Sequence, residues 1–434
     1  MAESAGKALA RLVLPLAAVA LVEVPAKADT NSNRQIIPLG ETEQFLGNTG
    51  TGRATDTGAV YYNPAGLAEI TPPDTGYPFT GKISVSGAVY LKFDTSSSGL
   101  VNLDNTNVPF KASGFNTIPA TYTATRNFGD WATALSVLVP SSQEVLNRSS
   151  FSTPNTRDNL IFHTNLNELW FGLSLAHTLG EKFRFGLTLF VIEHTEEQIL
   201  GIDLQFPADA TSRLVSSMSQ SSLSTLGASA TFGLSYIASS ALRFGLRAQT
   251  PFVQFMGSAD TFQATHSVVG GAVTTTGEDL KGTPANFRMP FDFTLGAAAM
   301  PAKWMTLLAD VSLQLGASYT SIPGSTFSSD VVLKPTPRVN LGVEVKPTPT
   351  VPVRAGFYYN PSANGGKPGD DGYEAENYFG VTGGVGVNSG PVQTGLGAFY
   401  IWSSGETTPG NGAGTTASLQ SHGYGVLLTT SYLL

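Results

Sequence analysis

The stretch from Gly47 to Ile70, GNTGTGRATDTGAVYYNPAGLAEI, follows no simple period, unlike most of the chain after it. Its glycines suit a chain that turns tightly and approaches other backbone closely. Asp56 stands where its side chain can cap a short helix over Val60-Tyr61-Tyr62. Asn63-Pro64-Ala65-Gly66 then ends that helix, because proline disfavours the α conformation at the residue before it. We expect Gly66 to have a positive φ or to pack closely on backbone, so the stretch forms a compact corner.

The N-terminal residues have the pattern of a secretory signal peptide. Lys7 and Arg11 precede or adjoin an apolar run, Leu12 to Val22, and Ala26-Lys27-Ala28 matches a small-residue cleavage site. The run is too short to span a bilayer as a helix. We therefore expect residues 1–28 to be removed, so that the mature chain begins at Asp29.

Composition favours a membrane barrel over a soluble protein. Nothing after the signal peptide approaches the roughly 20 apolar residues that a transmembrane helix needs. The chain nevertheless has 47 glycines and 25 phenylalanines and is only 13% charged. The absence of cysteine excludes a disulfide framework and thiolate chemistry, and the net charge of −8 argues against nucleic acid as a partner.

From Gly81 onward the sequence alternates in a way that predicts about fourteen antiparallel β-strands joined in turn by short and long connections. Short periplasmic turns and long extracellular loops are what an outer-membrane barrel requires when both termini lie in the periplasm. The fold class predicted is therefore all-β, a transmembrane barrel. The predicted strands are 81–94, 114–128, 131–140, 165–180, 182–200, 223–238, 241–257, 287–300, 303–316, 335–347, 351–361, 376–388, 392–404 and 419–434.

Alternation within the strands assigns their two faces. In 182–194, phenylalanine, leucine and valine occupy the odd positions from Phe183 to Val191, whereas Arg184, Thr188 and His194 occupy even ones. The same alternation puts Arg247 and Arg338 opposite the apolar residues of their strands. Because a charge facing lipid near the midplane would cost about 2–4 kcal/mol, this segregation predicts an apolar outer face and a polar lumen.

Residues 47–70 resemble the N-terminal plug of the outer-membrane long-chain fatty acid and hydrocarbon transporters of the FadL/TodX type, in which a glycine-rich run and YYNPAGLA precede the barrel. The terminal strand from His422 to Leu434 is similar to the strand that the barrel-assembly machinery reads. The resemblance implies that residues 29–80 form a plug, or hatch, inside the lumen and that residues 81–434 form the barrel. Its plug motif falls on Asn63, Pro64, Ala65 and Gly66.

The resemblance also implies a function and a route. We expect passive, plug-gated uptake of a long-chain fatty acid, a hydrocarbon or a similar hydrophobic compound across the outer membrane of a Gram-negative bacterium. In that family cargo is captured outside, passes to a pocket in the barrel and leaves sideways through a gap in the wall. The third predicted strand, 131–140, is the candidate for this gap because it is the shortest and ends in Pro140-Ser141-Ser142. Termination at a proline is the alternative interpretation.

Long predicted loops at 141–164, 201–222 and 258–286 carry apolar residues that either capture cargo or pack on one another. Of these, 208–222 is the most helix-like. The apolar residues in question are Val145, Leu146, Phe151, Leu204, Phe206, Leu214, Val215 and Met218.

Lumen residues are the candidates for contacts with cargo. Arg247 and Arg338 could hold a carboxylate head group through charge-assisted hydrogen bonds. The same lumen contains Asp292, Asp310 and Glu344, which could instead neutralise these arginines in internal salt bridges, and the sequence leaves both interpretations open. His194 and Phe190, which share the inward face of one strand, are further candidates for the substrate site.

Catalysis and cofactor binding are not expected. The five histidines, at 163, 177, 194, 266 and 422, are scattered, and no G-x-S-x-G elbow is present. The run Gly47 to Arg53 lacks the Lys-Ser/Thr of a phosphate-binding loop. We expect no cofactor or metal. We expect the partners to be a hydrophobic ligand, outer-membrane lipid and the barrel-assembly machinery, and the protein to be a monomer. A structural or adhesin-like barrel with a static plug is the alternative function.

Overall fold

The structure is a computed structural model that describes residues 33, 35–70, 80–103, 106–152, 157–206, 213–269, 272–370, 373–408 and 416–434. The predicted signal peptide, residues 1–28, lies outside the described residues. Among the described residues no helix is long and apolar enough to cross a membrane.

In the part of the chain that the structure describes, three short helices precede a long series of strands. The helices are the 3-10 helix Glu43–Phe45, the α-helix α1 Ala59–Tyr62 and the 3-10 helix Pro64–Glu69. The strands are β1 Thr80–Leu103, β2 Thr106–Phe128, β3 Trp131–Ser152, β4 Arg157–Leu179, β5 Phe183–Phe206, β6 Arg213–Ser239, β7 Leu242–Gln249, β8 Val253–Val269, β9 Ala272–Pro284, β10 Asp292–Ala302, β11 Met305–Gln314, β12 Ala317–Thr320, β13 Asp330–Leu333, β14 Thr336–Thr348, β15 Val351–Asn360, β16 Glu374–Ser389, β17 Val392–Thr407 and β18 Ala417–Leu433.

The strands close into a barrel. Each of β1 to β6 pairs antiparallel with the next, and β1 also pairs with β18 from Lys82↔Leu433 to Ser98↔Ser418. Both β7 and β8 pair with β6, so they are the two halves of one bent wall strand. In the same way β9 continues into β10, β11 into β12 and β13 into β14. The wall therefore has fourteen antiparallel strands, which confirms the predicted fold class and strand number.

Side chains alternate between lipid and lumen as predicted. Along β18 buried and exposed residues alternate without a break from Ala417 to Tyr432. On β5 Phe183 and Leu189 point outward, whereas Thr188 and His194 are fully buried. Aromatic side chains gather at both edges of this outer band, as in transmembrane barrels generally. They include Trp131, Phe183 and Trp304 beside the short turns, and Tyr90, Tyr400, Trp402 and Tyr424 toward the other edge.

The strands extend further than predicted at the end opposite the short turns. The predicted loops 141–164, 201–222 and 258–286 are mostly strand, since β3 reaches Ser152 and β5 reaches Phe206. The helix-like interpretation of 208–222 is wrong from Arg213, where β6 begins; residues 208–212 lie outside the described part. The third strand is not the shortest either. Neighbouring strands continue to form backbone hydrogen bonds with each other there. An unstructured loop of this length would leave those N–H and C=O groups without such partners.

The apolar outer face yields a stability prediction. Leu189 lies midway along the outward face of β5 and is 53% exposed, so Leu189→Arg should destabilise the folded barrel in lipid by about 2–4 kcal/mol. Urea unfolding in lipid vesicles measures this change. Val273→Arg is the matched control, because Val273 is 70% exposed on the hairpin beyond the outer band and should tolerate the charge. Equal losses in the two variants would contradict the assigned lipid face.

Candidate functional site

The plug corner forms as its sequence predicts. Asn63 is extended, with φ −164° and ψ 98°, and its Oδ1 accepts a hydrogen bond from the Ala65 N–H at 3.2 Å. Its Nδ2 donates to the Thr51 carbonyl at 2.8 Å and to the Leu234 carbonyl of β6 at 3.1 Å. One side chain therefore closes the corner, joins it to the glycine-rich run and attaches both to the wall.

Gly66 meets the second of its two expected conditions, close packing on backbone. A Cβ atom added there would lie 1.7 Å from the carbonyl oxygen of Ala54, and its φ is not positive. Asp56 also accepts a hydrogen bond close to the start of the helix that it was predicted to cap. Its Oδ1 accepts from the Gly58 N–H at 2.8 Å, one residue before α1 begins. The corner is thus fixed by backbone approach rather than by an unusual backbone conformation.

A ring of glycines in the wall seats the plug. At each of these positions an added Cβ would come within 1.7 to 2.5 Å of a plug atom, a distance that real Cβ atoms essentially never show. The plug backbone can therefore lie against the wall backbone only because side chains are missing there. The ring consists of Gly186 on β5, Gly233 on β6, Gly245 on β7, Gly296 on β10, Gly342 on β14 and Gly356 on β15.

Between these glycines β11 contributes a carboxylate. Asp310 Oδ2 accepts hydrogen bonds from the backbone N–H groups of Gly50 and Thr51, both at 2.9 Å. Successive N–H groups in a turn form a concavity that suits an anion. The run Gly47 to Arg53 does hold an anion in this way, but the anion is a side chain of the barrel itself.

Ion pairs attach the plug at further points around the wall. Glu41 pairs with Lys82 of β1 at 2.6 Å, and Glu69 pairs with Arg243 of β7. Arg53 donates to the Thr306 hydroxyl of β11 at 2.9 Å. The contacts come from strands on opposite sides of the barrel, so residues 35–70 lie within the lumen.

Arg247 and Arg338 converge on one carboxylate. Arg247 Nη1 lies 2.8 Å from Asp292 Oδ1, and Arg338 pairs with Asp292 Oδ2. Arg247 also donates to the Tyr61 carbonyl at 2.9 Å and to Gln249 at 2.6 Å, with its guanidinium 5.0 Å from the Tyr61 ring centroid. The internal salt bridge that the sequence allowed is present. Contact of either arginine with cargo stays a prediction.

His194 and Phe190 belong to an aromatic cluster above the corner. The His194 ring is fully buried and stacks on Phe287 at 3.8 Å with a 4° angle between the planes. Its Nδ1 lies 3.5 Å from Glu168 Oε1. Phe190 packs edge-on against Trp170 at 5.1 Å, and Trp170 in turn lies 5.8 Å from Tyr61. Tyr61 therefore connects this cluster to Arg247.

Two pockets lie between the plug and the wall, and both include Pro140 and Ser141 of β3. The first encloses about 460 Å³, part of it open to solvent, and is largely apolar. It is lined by Ile36, Ile37, Leu91, Phe93, Gly114, Ile401 and residues 140–144. The second encloses about 480 Å³ and is more polar, with Tyr61, Glu168 and Phe287 among its lining residues. Nothing in the sequence singles out Ile36 and Ile37, because they precede the recognisable motif.

The wall is irregular beside these pockets. Pairing between β2 and β3 runs from Phe128↔Trp131 to Thr121↔Leu138 and resumes only at Ser113↔Leu146. The register of β3 with β4 also shifts between Leu138 and Ser141. Pro140, which lacks an N–H donor, lies inside both irregularities. The third strand therefore continues past Pro140, where its end was predicted, but its pairing with both neighbours is irregular there.

The predicted capture residues separate by the face of the strand on which they lie. Val145, Leu204 and Val215 are buried in one apolar cluster, and Phe151 and Phe206 pack against it. Leu146, Leu214 and Met218 are instead exposed. Strand alternation, which the loop interpretation ignored, accounts for the division. In the described part of the chain no group of three or more histidine, cysteine, aspartate and glutamate residues is arranged to hold a metal ion.

A closed fourteen-stranded barrel, a plug attached through polar groups and an apolar pocket between plug and wall define the class of plugged transmembrane barrels. Solved structures share this fold. The chain aligns over 92% of its length with the toluene transporter TodX of P. putida, at 14% identity and a TM-score of 0.63, covering 99% of that chain. The toluene transporter TbuX of Ralstonia pickettii aligns at 14% identity and a TM-score of 0.55, with 92% and 98% of the two chains covered.

A FadL homologue of Pseudomonas aeruginosa aligns at 14% identity and a TM-score of 0.58, with 92% and 99% of the two chains covered. No protein-family model and no curated protein matches the sequence. The resemblance to the FadL/TodX type that residues 47–70 predicted is confirmed as a shared fold.

Gly66 provides a test of the corner. Gly66→Val puts a branched side chain against the Ala54 carbonyl, and overpacking of this kind costs typically 1–3 kcal/mol, so about that loss is expected. Thermal unfolding and heat-modifiable migration on gels measure it. Gly383→Ala is the control, because its added Cβ would make only an ordinary contact at 3.6 Å. Wild-type migration and uptake in Gly66→Val would show that the corner does not matter.

Proposed function

We propose that the protein carries hydrophobic compounds, such as long-chain fatty acids or hydrocarbons, across the outer membrane of a Gram-negative bacterium. Passage is passive and gated by the plug, and no catalytic step is involved. The likeness in fold to toluene transporters and to a FadL homologue supports an apolar cargo.

The observation that carries this proposal is a single apolar cluster that joins the strand extensions to the plug. It begins among the inward side chains of the strand extensions, with Leu204 and Val215, and passes Leu91 and Phe93 of β1. It ends on the plug, at Ile37 and Phe45. Passage of water-soluble compounds through a polar lumen does not require such a cluster. An apolar cargo, by contrast, stays out of water by contacting it.

The interruption between β2 and β3 is the proposed exit. The apolar pocket lies directly behind it, and the stretch of β3 that does not pair with β2 supplies residues 140–144 to the lining of that pocket. Cargo leaving there would enter the bilayer sideways without crossing the plug. Ordinary strand irregularity at a proline is the alternative, and a change in the pocket distinguishes the two.

Cargo contacts inside the barrel are proposed for the aromatic cluster. Phe190, His194 and their neighbours Trp170 and Phe287 give a mainly apolar wall with few polar atoms, which is the usual composition of a small-molecule site. We propose that the barrel works as a monomer in outer-membrane lipid and is inserted by the barrel-assembly machinery.

A structural or adhesin-like barrel with a static plug is the competing function. Both functions allow the same fold, but only transport requires the pocket to stay open to cargo. Detergent or fatty acid bound within the lumen of the purified protein would favour transport, and uptake assays on a deletion strain over a panel of apolar compounds would identify the cargo.

Filling the apolar pocket tests the route. Ser141→Trp places a large side chain in the pocket lining and should reduce uptake of the transported compound by about tenfold or more, equivalent to roughly 1.4 kcal/mol. Uptake into proteoliposomes measures it. Leu135→Trp is the matched control and should leave uptake unchanged, because Leu135 is 65% exposed on the lipid face of the same strand. Unchanged uptake in a correctly folded Ser141→Trp barrel would sink the proposed exit.

The two lumen arginines provide a test of the head group. Because both pair with Asp292, we expect Arg247→Ala and Arg338→Ala to alter binding of a fatty acid and of its neutral methyl ester alike. Calorimetric titration of each variant with both compounds is the measurement. Selective loss of acid binding would contradict a purely structural role and identify these residues as head-group ligands.

A further inference from the structure

Three carboxyl groups and one ammonium group are buried together where the plug meets β1 and β18. Glu41, Glu43, Asp56 and Lys82 are each no more than 5% exposed. Ionising all three acids would leave two negative charges without a bonded cation in a dry site, which is costly. The arrangement of their partners decides which acids are ionised.

Glu41 has every feature of an ionised carboxylate. Lys82 Nζ lies 2.6 Å from its Oε1, the Ser431 hydroxyl of β18 donates to the same oxygen at 2.7 Å, and the Thr57 hydroxyl donates to Oε2 at 2.8 Å. Burial acts to raise the pKa of Glu41, but Lys82 and these hydrogen bonds outweigh it and lower the pKa. The single cation of the cluster is thereby committed to Glu41.

Glu43 and Asp56 face each other without a cation between them. The Thr42 N–H donates to Glu43 Oε2 at 3.3 Å, and the Thr42 hydroxyl donates to Asp56 Oδ2. Gly58 lies between the two groups: its N–H donates to Asp56 Oδ1 at 2.8 Å, and its added Cβ would fall 2.1 Å from Glu43 Oε2. Glu43 Oε1 has no hydrogen-bond partner among the described residues.

The charges around this pair favour one retained proton. Burial, and then the charge of Asp56, raise the pKa of Glu43 well above its usual range. Burial, and then Glu41, raise the pKa of Asp56, while Lys82 opposes them. Glu41 also acts to raise the pKa of Glu43, and the other titratable groups near the pair are Tyr62 of α1, whose ring also lies against Gly50, and Arg53, which interacts electrostatically with Asp56. From the wall, β18 presents the uncharged Ser431 and β1 presents Lys82.

We propose that a proton held between Glu43 and Asp56 keeps the plug against β1 and β18, and that its loss in alkaline conditions releases this side of the plug. Glu43 would then become a second buried anion beside Asp56, and like charges in contact inside a dry site repel strongly. The contacts given up are those of Glu41 with Lys82 and Ser431 and that between the hydroxyls of Thr57 and Ser84.

The direction of the pH effect follows from the two opposite shifts. A group whose pKa is raised by folding stabilises the fold at low pH, and that stability declines as pH rises from the usual glutamate pKa toward the raised one. The Glu41 ion pair behaves in the opposite way and weakens only as pH falls through its lowered pKa. The hold on the plug is therefore firmest in weakly acidic conditions and loosens toward alkaline ones.

The chain has no cysteine, so a single thiol can report on this contact. Ser84→Cys replaces a hydroxyl that is 2% exposed at the boundary between plug and wall. In the full-length barrel in detergent, the rate at which a water-soluble maleimide labels this thiol should rise with pH. The reference is the same thiol in a Glu43→Gln background, where residue 43 has a permanently neutral side chain of the same shape. Dividing the first labelling rate by the second removes the pH dependence of the thiol chemistry itself.

We expect the ratio of the two labelling rates to grow by at least about tenfold from acidic to alkaline pH, the factor that one pKa unit provides. Asp56→Asn, a second way to remove a charge from the pair, should abolish the rise as Glu43→Gln does. Glu144→Gln, at a half-exposed site on β3, should leave it intact. A constant ratio, or an equal effect of Glu144→Gln, would overturn the proposal.

This inference adds a form of regulation to the proposed function, but the labelling needs no cargo. If the ratio rises while uptake of apolar compounds fails, transport is contradicted and the proton-held plug stands. If uptake succeeds with a constant ratio, the plug is gated by something other than this proton.

Discussion

Direct contact between the backbone of the plug and the backbone of the wall is the constraint on which the rest of the structure depends. Such contact requires glycine on at least one side, and the six wall glycines supply it on six strands. Once water is excluded, each plug N–H and C=O needs a partner from the wall or from the plug itself. Asp310, Asn63 and Thr382 meet that need, the last by accepting from the Gly47 N–H at 2.9 Å.

Charges at this boundary are arranged so that the plug adheres through polar groups. Glu41 meets Lys82 and Glu69 meets Arg243, while Arg247, which pairs with Asp292 within the wall, donates to the Tyr61 carbonyl of the plug. Buried ion pairs add little net stability relative to apolar packing, but each fixes a specific geometry.

The sequence was sufficient where one physical rule acts on many residues. The lipid phase imposes period two on every strand, so strand number, faces and plug were predictable from residues such as Leu189 and Asn63. Beyond the outer band no lipid imposes an apolar outer face. Apolar residues such as Leu204 and Val215 are mixed there with polar ones, so the sequence did not indicate that the strands continue. The pairing of Arg247 with Asp292 joins positions far apart in sequence, so only the fold could choose between the two interpretations. Recurrence of glycine at inward positions of the strands is the sequence pattern that marks the wall glycines.

Glu41 lies across the seam at which the barrel closes. It accepts from Lys82 on the first strand and from Ser431 on the last, and these two strands pair with each other. During biogenesis the final strand is made last, so Glu41 keeps an incomplete set of partners until the whole polypeptide has been delivered. Docking of the plug and zippering of the seam are thereby one cooperative event, and a chain that stalls before its C-terminal strand holds neither an intact wall nor a seated hatch.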